Sequence, residues 1–341
     1  TTGVWQEDHY IITDLNTSTG VATFWPPFDG DPQKGNIGFT QTFSYSVNPY
    51  APRPADLADT LYSGGTVEFG GSSLFFAARG ARFELSGGIW TAKPWKQSSI
   101  RKVGAGGRAP INSVSSNGAI VRNTFIVDVL YDGIILQNSD AFIVFEENTF
   151  LYVEGSAIHI GGRGRNTNIT NNVTYKCGTG IFSSLDLEKV FVTGNLFVKN
   201  KSLTEQVYAN YGSFAGLMGD HQTVVSNNFF DGGMGAIDVG QQSGRLTFNN
   251  NIVVNMIADG VSVGAGTDPA YDPPQTAFMV DISNNQIAFN GRNGIFLKGL
   301  EGGRVTGNQV YNNGTNAANS LDQRSGIRIE SSSTESVVVA E

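Results

Sequence analysis

Residues 246–263 read LTFNNNIVVNMIADGVSV and contain every element of a repeat that runs through the last two thirds of the chain. A short apolar stretch leads to Asn251, two apolar residues follow it, and Gly260 opens a second alternating stretch. The same asparagine recurs at Asn123, Asn148, Asn172, Asn195, Asn228, Asn251, Asn285 and Asn308. Successive spacings are 25, 24, 23, 33, 23, 34 and 23 residues, which is the regularity of a stacked structural repeat.

A small residue that opens a short alternating strand follows each of these asparagines. The small residues are Gly133, Ala157, Gly180, Gly216, Ala236, Gly260, Gly294 and Gly326. A third strand precedes each asparagine, so each repeat forms one three-stranded turn of a solenoid. Asparagine tolerates left-handed backbone at turns, and stacked amides can hydrogen-bond along the axis. Because parallel crossovers are right-handed, we predict an all-β chain in which residues 111–341 form a right-handed parallel β-helix of about eight to nine coils.

The first 110 residues have a different composition, since they contain all four tryptophans and eight of the eleven prolines. Alternating stretches on either side of residues 16–20 predict a hairpin over residues 9–28. Further strands are predicted at residues 65–69, 73–76 and 82–88. We therefore predict a β-rich region with early irregular coils at 1–110. The β-helix at 111–341 stops within a coil, so we expect a longer protein or capping by partner chains.

Composition limits the partners. The net charge is −8 and only 15% of residues are charged, which argues against nucleic acid as a ligand and suits a sugar. The single cysteine, Cys177, excludes an internal disulfide and a cysteine-based metal cluster. No stretch of 18 apolar residues occurs that would span a membrane. We expect no cofactor, metal, nucleic acid or membrane partner.

Three oversized spacings locate a candidate groove. Two insertions, at about residues 199–212 and 312–324, precede a strand that begins with a small residue. A third insertion, at about residues 265–276, follows such a strand. Loops on both edges would turn one flat face into a groove, and binding sites concentrate in such loops. The alternative is that a solenoid accepts insertions anywhere.

The outward residues of this face follow from the alternation of side chains along a strand. The first outward row is predicted to contain Ile135, His159, Phe182, Met218, Asp238, Ser262, Phe296 and Arg328. The second row is predicted to contain Gln137, Gly161, Ser184, Asp220, Gly240, Gly264, Lys298 and Glu330. The two glycines that follow Asp238 and Ser262 would leave room for a bound sugar ring.

Three carboxylates are the candidate catalytic residues: Asp220, Asp238 and Asp259. Asp220 and Asp238 are expected on adjacent coils, with Cα atoms roughly 8 Å apart. Their carboxyl groups would then lie within the range that glycosidases use for an acid and a base or nucleophile. Each aspartate taken singly is better explained as a turn or surface carboxylate, and only the cluster beside two glycines makes catalysis an equal alternative.

The remaining candidates are substrate contacts. Phenylalanines on a polar face are candidate stacking rings for sugars, and the charged end of the groove suits an acidic sugar or internal ion pairs. The predicted contacts are His159, Phe182, His221, Tyr271, Phe296, Lys298, Arg328 and Glu330.

The Asn-x-apolar and Gly-Ile-x-apolar rungs over residues 117–341 resemble the pectate-lyase-like β-helix superfamily, closest in style to phage tailspike polysaccharide depolymerases. Of the polygalacturonase signatures only Arg328-Ile329-Glu330 is close, and the signatures of pectate lyases and alginate epimerases are absent. The resemblance implies an extracellular protein, secreted or virion-associated, that binds a polysaccharide and forms a homo-oligomer, a trimer if it is tailspike-like.

Three functions follow from these residues. We expect an endo-acting glycoside hydrolase that uses Asp220 and Asp238, with Asp259 as a third carboxylate. A lyase or epimerase is the first alternative, with a base and a cation drawn from His159, Tyr271, Lys298 and Arg328. A non-catalytic fibre or adhesin, in which the helix is a rigid rod, is the second.

Overall fold

The structure, a computed structural model, describes residues 11–16, 21–25, 60–63, 66–68, 83–91, 111–114, 118–127, 129, 132–137, 139–160, 163–183, 187–200, 212–217, 222–240, 244–264, 278–319, 321–330 and 337–340. Over these residues the chain is built of strands without an α-helix, and one 3-10 turn lies at Leu321–Gln323. The same residues contain no helix with the length and apolar character needed to cross a membrane.

A hairpin begins the described chain, as the sequence predicts for residues 9–28. Strands β1 (Ile11–Asn16) and β2 (Val21–Trp25) pair antiparallel, with Asn16 opposite Val21. The remaining strands form three parallel sheets.

The first sheet consists of the strands that follow the small residues. It contains β7 (Ile111–Val114), β10 (Ile134–Gln137), β13 (Ser156–Ile160), β16 (Thr179–Ser183), β19 (Phe214–Leu217), β22 (Ile237–Gly240), β25 (Val261–Val263), β28 (Ile295–Lys298) and β31 (Ile327–Glu330).

The second sheet consists of the strands that precede the asparagines. It contains β3 (Thr60–Ser63), β5 (Phe83–Ser86), β8 (Ala119–Arg122), β11 (Ser139–Glu146), β14 (Arg163–Thr170), β17 (Leu187–Thr193), β20 (Gln222–Ser226), β23 (Gly244–Asn249), β26 (Phe278–Ser283), β29 (Gly302–Thr306) and β32 (Val337–Ala340).

The third sheet consists of the strands that follow the asparagines. It contains β4 (Thr66–Glu68), β6 (Ile89–Thr91), β9 (Phe125–Val127), β12 (Thr149–Leu151), β15 (Val173–Tyr175), β18 (Leu196–Asn200), β21 (Phe229–Gly233), β24 (Ile252–Val254), β27 (Gln286–Ala288) and β30 (Gln309–Tyr311).

Each strand pairs in parallel with its equivalent one coil further on, which confirms the predicted right-handed parallel β-helix. Strands β4 and β5 correspond to the predictions at 65–69 and 82–88, whereas residues 73–76 lie outside the described ones. Because β3 to β6 already belong to the second and third sheets, regular coils begin before residue 111.

Aromatic and aliphatic side chains from all three sheets fill the interior. Phe197 and Phe230, on neighbouring coils of the third sheet, stack with their ring centroids 4.7 Å apart and their planes within 6°. Phe248 of the second sheet lies 6.1 Å from the Phe230 ring, and all three side chains are buried. Such a core stabilises the helix along its whole length, because each coil covers the apolar side chains of the next.

A ladder of buried asparagines joins the second and third sheets. The Oδ1 atom of Asn251 accepts hydrogen bonds from the backbone N–H of Asn228 at 2.9 Å and from its Nδ2 at 3.0 Å. The Nδ2 of Asn251 donates in turn to Asn285. The same pattern links Asn148, Asn172, Asn195, Asn228, Asn251, Asn285 and Asn308.

The first predicted member of this ladder was wrong by one residue. Thr124 rather than Asn123 bonds to Asn148 Oδ1, through its backbone N–H and its hydroxyl. Asn123 lies exposed in the preceding turn with a φ of 53°, a left-handed conformation that asparagine tolerates. Adjacent turn and ladder positions both favour asparagine, so residue type alone did not separate them.

Packing explains why small residues open the first-sheet strands. A Cβ atom at Gly260 would lie 2.6 Å from the carbonyl oxygen of Gly294 on the next coil. In the coil of β19, however, the opener is Ser213 and not the predicted Gly216, because Phe214 pairs with Ile181 and Ile237. This shift of three residues changes the candidate site.

Candidate functional site

The outward row of the first sheet is a continuous line of neighbouring side chains. Direct strand pairing aligns Ile135, His159, Phe182, Ala215, Asp238, Ser262, Phe296 and Arg328. Seven of the eight predicted members are therefore confirmed. We call this surface the groove face.

The prediction of Met218 as the eighth member was wrong, because Ala215 lies between Phe182 and Asp238 in this row. Phe214 is 1% exposed and occupies the interior position next to Ala215. The long insertion that precedes β19 hid the start of this strand, since Gly216 resembles the small openers of the other coils as closely as Ser213 does.

The same shift affects the second outward row. Leu217 pairs with Gly240, so the register that placed Asp220 opposite Gly240 was wrong. Asp220, His221 and Tyr271 themselves lie outside the described residues, and their roles stay predictions.

Asp238 is the central titratable group of the groove face. It lies half-buried on β22, directly beside Ala215 and Ser262 on the two adjacent strands. Burial, with a smaller contribution from the negative charge of Asp259, raises its pKa from the ordinary 3.8 to about 6. A carboxyl group with this pKa exchanges its proton near neutral pH, as a general acid must.

Asp259 lies in the turn before β25 and is held by the next coil. Its Oδ1 accepts hydrogen bonds from the backbone N–H of Asn293 at 2.9 Å and from the Asn293 side chain at 2.8 Å. Burial raises the pKa of Asp259 above its ordinary value, and the bonds from Asn293 and the charges of Arg292 and Arg328 offset part of that rise. Asp238 has no such hydrogen bonds among the causes of its shift.

Gly240 and Gly264 follow Asp238 and Ser262 on the groove face, and backbone packing explains the second of these glycines. Gly264 has a φ of 80°, and a Cβ atom there would overlap the carbonyl oxygen of Lys298. Backbone packing therefore accounts for this glycine without any ligand. The room predicted beside Asp238 depends on Gly240, which ends β22.

A second polar cluster lies three coils from Asp238. Asp132 is buried, and its Oδ2 lies 2.9 Å from Nδ1 of His159, while its Oδ1 accepts the backbone N–H of Ser156 at 2.6 Å. The His159 ring meets Phe182 edge to face, with centroids 5.1 Å apart. A carboxylate that fixes the imidazole in one tautomer is the usual support of an acid–base or ligand-binding histidine.

Sequence reasoning missed Asp132 and Asn293. Both stand directly before a small opener, as Asp259 does, and all three accept a backbone N–H from the next coil through Oδ1. A polar residue in front of Gly-Ile or Gly-Val is therefore the signal that would have found them.

The charged end of the groove face is internally paired. Lys298 Nζ lies 3.2 Å from Glu330, and an Arg328 nitrogen lies 2.7 Å from the same carboxylate. The Arg328 guanidinium also lies over the Phe296 ring, 5.2 Å from its centroid. The sequence predicted either binding of an acidic sugar or internal ion pairs for these charges, and the structure contains the ion pairs.

Metal and thiol chemistry find little support in the described part of the chain. It contains no group of three or more His, Cys, Asp and Glu side chains placed to hold a metal ion. Cys177 is fully buried, and burial raises the pKa of its thiol to about 12, so it is not a nucleophile near neutral pH.

Comparison with known families agrees with this geometry. Residues 110–272 match the family model described as a right handed beta helix region. The chain is a right-handed parallel β-helix protein. This agrees with the fold that the resemblance to the pectate-lyase-like superfamily predicts. Residues 215–338 of the β-helix protein also match the model described as periplasmic copper-binding protein (NosD). The described residues of that range do not fit a copper site, since they lack such a ligand group.

Solved structures with a similar fold include a pectate lyase, a glucanase unit and a tailspike protein. Pectate lyase Pel9A is 12% identical, with 82% of this chain and 69% of that chain covered and a TM-score of 0.48. The catalytic unit of a GH87 alpha-1,3-glucanase from Streptomyces thermodiastaticus is 13% identical, with 83% and 61% covered and a TM-score of 0.45. The Dettilon tailspike protein is 12% identical, with 80% and 61% covered and a TM-score of 0.44.

The β-helix protein thus spans less than two thirds of the glucanase unit and of the tailspike. At such identities the likeness concerns the fold alone. No curated protein matches the sequence.

Proposed function

We propose that the β-helix protein is a carbohydrate-active enzyme that hydrolyses a long polysaccharide bound along the groove face. The observation that carries the proposal is Asp238, a half-buried carboxyl group in the middle of that face whose pKa is raised to about 6 beside a second carboxylate. A glycosidase needs this pair of unlike carboxyl groups, one that keeps its proton and one that is ionised.

Asp238 is the general acid in this proposal, and it protonates the oxygen of the leaving sugar. Asp259, whose Oδ1 accepts two hydrogen bonds from Asn293, is the second carboxylate that the described residues supply. Asp220 remains the other candidate for the base or nucleophile. Substitution separates the two, because loss of the true partner lowers kcat whereas loss of a neighbour that only tunes Asp238 shifts the pH profile.

Two aromatic side chains support a sugar chain that runs along the helix axis. Phe182 lies two coils before Asp238 and Phe296 two coils after it. With about 4.8 Å between neighbouring strands, the two rings lie roughly 10 Å on either side of the carboxyl group. Both are half-buried, so each presents part of its ring to the groove face.

The test is hydrolysis of a panel of bacterial, plant and algal polysaccharides by the full chain, measured as release of reducing ends. Asp238→Asn keeps the size of the side chain and removes the proton donor, so activity should fall by about 100-fold or more. Glu301→Gln, on an exposed turn after β28, is the matched control and should keep wild-type activity. Equal activity of Asp238→Asn and wild type on a cleaved glycan would refute the proposed mechanism.

A lyase or epimerase is the second candidate, and the contact between Asp132 and His159 favours it. An oriented imidazole is a suitable base for removing a proton next to a sugar carboxylate. A lyase product contains a new double bond that absorbs in the ultraviolet, whereas a hydrolase product does not. Loss of that absorbance in His159→Gln, with Asp238→Asn still active, would establish the lyase instead.

The same proposal includes three predictions that rest on the resemblance to tailspikes: an extracellular or virion-associated location, endo-acting cleavage and a homo-oligomeric state. Absence of any product from the whole panel, together with no glycan binding, would favour the rigid fibre or adhesin.

A further inference from the structure

The outward side of the third sheet is largely apolar over seven consecutive coils. Its first row contains Ile89, Phe125, Thr149, Val173, Leu196, Phe229 and Ile252, aligned by strand pairing. Its second row contains Thr91, Val127, Leu151, Tyr175, Val198, Asp231 and Val254, so two threonines and one aspartate are the polar members of the two rows. We call these two rows the apolar face. Leu196, Phe229 and Ile252 leave 36%, 37% and 38% of their surface in water.

The neighbouring row of the second sheet is polar. The outward row of the second sheet nearest the same corner contains Thr170, Thr193, Ser226, Asn249, Ser283 and Thr306. Both rows have the same β-helical geometry, so the architecture itself does not demand outward apolar residues. A contiguous apolar surface of this length is typical of an interaction site.

The two rims of the apolar face carry opposite charges. The turn before the asparagine ladder carries the exposed Glu147, and the turn after the strands carries the exposed Lys176 and Lys199, with Asp231 beside them in the second row. Lys176 lies over the Tyr152 and Tyr175 rings, 5.6 and 5.3 Å from their centroids, which keeps its charge at the edge of the face. A two-fold axis parallel to the helix axis would place the acidic rim of one copy against the basic rim of the other.

We propose that the apolar face binds the same face of a second copy of this chain, with the two helix axes parallel. In this arrangement the first row of one copy lies against the second row of the other, so Leu196 meets Val198 of its partner. Both rows repeat with the strand spacing of about 4.8 Å, and identical spacing lets all seven coils stay in register.

The size of the apolar face suits this occupant. Seven coils and a width of about five residues correspond to roughly 500 Å² from each copy, or roughly 1,000 Å² together, which is the lower limit of stable interfaces. The contact uses neither the groove face nor its carboxylates, because these lie on the first sheet. The proposal is therefore independent of the carbohydrate chemistry.

The test is the mass of the full chain in solution, measured by light scattering and sedimentation from micromolar to nanomolar concentration. We expect the mass of a dimer for the wild type. Leu196→Glu should weaken association at least 100-fold, since it buries a carboxylate between apolar side chains. Phe191→Glu is the matched control, because Phe191 is 40% exposed on the second sheet of the same coil and should leave the mass unchanged.

A charge exchange makes the arrangement itself testable. Val198→Lys alone should weaken association as Leu196→Glu does, whereas the double variant places a lysine against a glutamate of the partner and should recover most of it. Circular dichroism of each variant checks that the coils are intact. A monomeric wild type at all concentrations overturns the proposal, even if the face then binds another protein or a lipid. An assembly that Leu196→Glu leaves intact overturns it as well.

Discussion

Asp132 and His159 are 27 residues apart in the chain, yet the Asp132 Oδ2 lies 2.9 Å from the His159 Nδ1 across two adjacent coils of the first sheet. The other carboxylate oxygen accepts the Ser156 backbone N–H, so one buried side chain joins the turn and orients the imidazole. The ordering of a ring on the groove face thus depends on a residue that forms the turn beneath it.

The two bonds of Asp132 can be separated by substitution. Asp132→Asn keeps an oxygen for the Ser156 N–H and weakens only the bond to His159, so it should lower the free energy of unfolding by about 1–2 kcal/mol. Asp132→Ala removes both bonds and should cost about 3 kcal/mol. Urea unfolding measures both values, and NMR of the ring nitrogens reports the tautomer of His159. Equal costs for the two variants would show that the turn bond contributes nothing.

The titration of Asp238 should make stability depend on pH. The raised pKa means that the native state binds more protons than the unfolded state between about pH 4 and pH 6. Stability therefore falls as the pH rises through this window, as the carboxylate becomes charged in a half-buried place. Asp238→Asn removes the free-energy cost of a buried negative charge. The variant should therefore be more stable than wild type at pH 7.5, by about 1–2 kcal/mol after allowance for solvent screening.

Thermal unfolding at several pH values checks this prediction. The two proteins should have similar midpoints at pH 4, where Asp238 is largely protonated, should diverge between pH 4 and pH 6, and should keep a constant difference above pH 6. If the Asp238→Asn variant is the less stable one at pH 7.5, then the carboxylate is stabilised by partners and the direction of its pKa shift is wrong.

The asparagine ladder should be a large source of stability. Asn228→Ala leaves the backbone N–H and the amide of Asn195 without their acceptor in the interior, which should cost about 2–4 kcal/mol. Asn168→Ala is the matched control, because Asn168 is exposed on the second sheet and should change stability by less than about 0.5 kcal/mol. Denaturant unfolding compares the two, and similar costs would mean that the ladder is replaceable by water.

The aromatic stack tests the interior in the same way. Phe230→Ala removes a ring that lies between Phe197 and Phe248, and it should cost about 3–5 kcal/mol. Phe191→Ala, on the outside of the second sheet, should have a cost below about 1 kcal/mol. Calorimetry of both variants provides the measurement. A small effect at Phe230 would require that neighbouring coils collapse into the cavity.

Much of the groove face was predictable from the sequence because each coil repeats the same local rules. Asp238 and Ser262 are both preceded by a small opener and an apolar residue, and their pairing followed directly from that pattern. The pattern did not predict the start of β19 correctly. Gly216 is a small residue like those that begin the other strands, but the residue in that position is Ser213, which follows a long insertion. The wrong register predicted for the residues that follow Gly216 is a consequence of this single ambiguity.

The sequence by itself determined the repeat, the three strands of each coil, the asparagine ladder and the alternation of inner and outer residues. These properties are local, since hydrogen bonding and the burial of apolar side chains act within a coil and on its nearest neighbours. Only the tertiary structure decided which residues meet between coils, such as Asp132 with His159 and Asp259 with Asn293. Loops of unequal length separate these coils, and the register across a loop is set by packing rather than by spacing along the chain. The same reason applies to the apolar face, because its pattern is visible in the sequence but its exposure depends on whether another segment covers it.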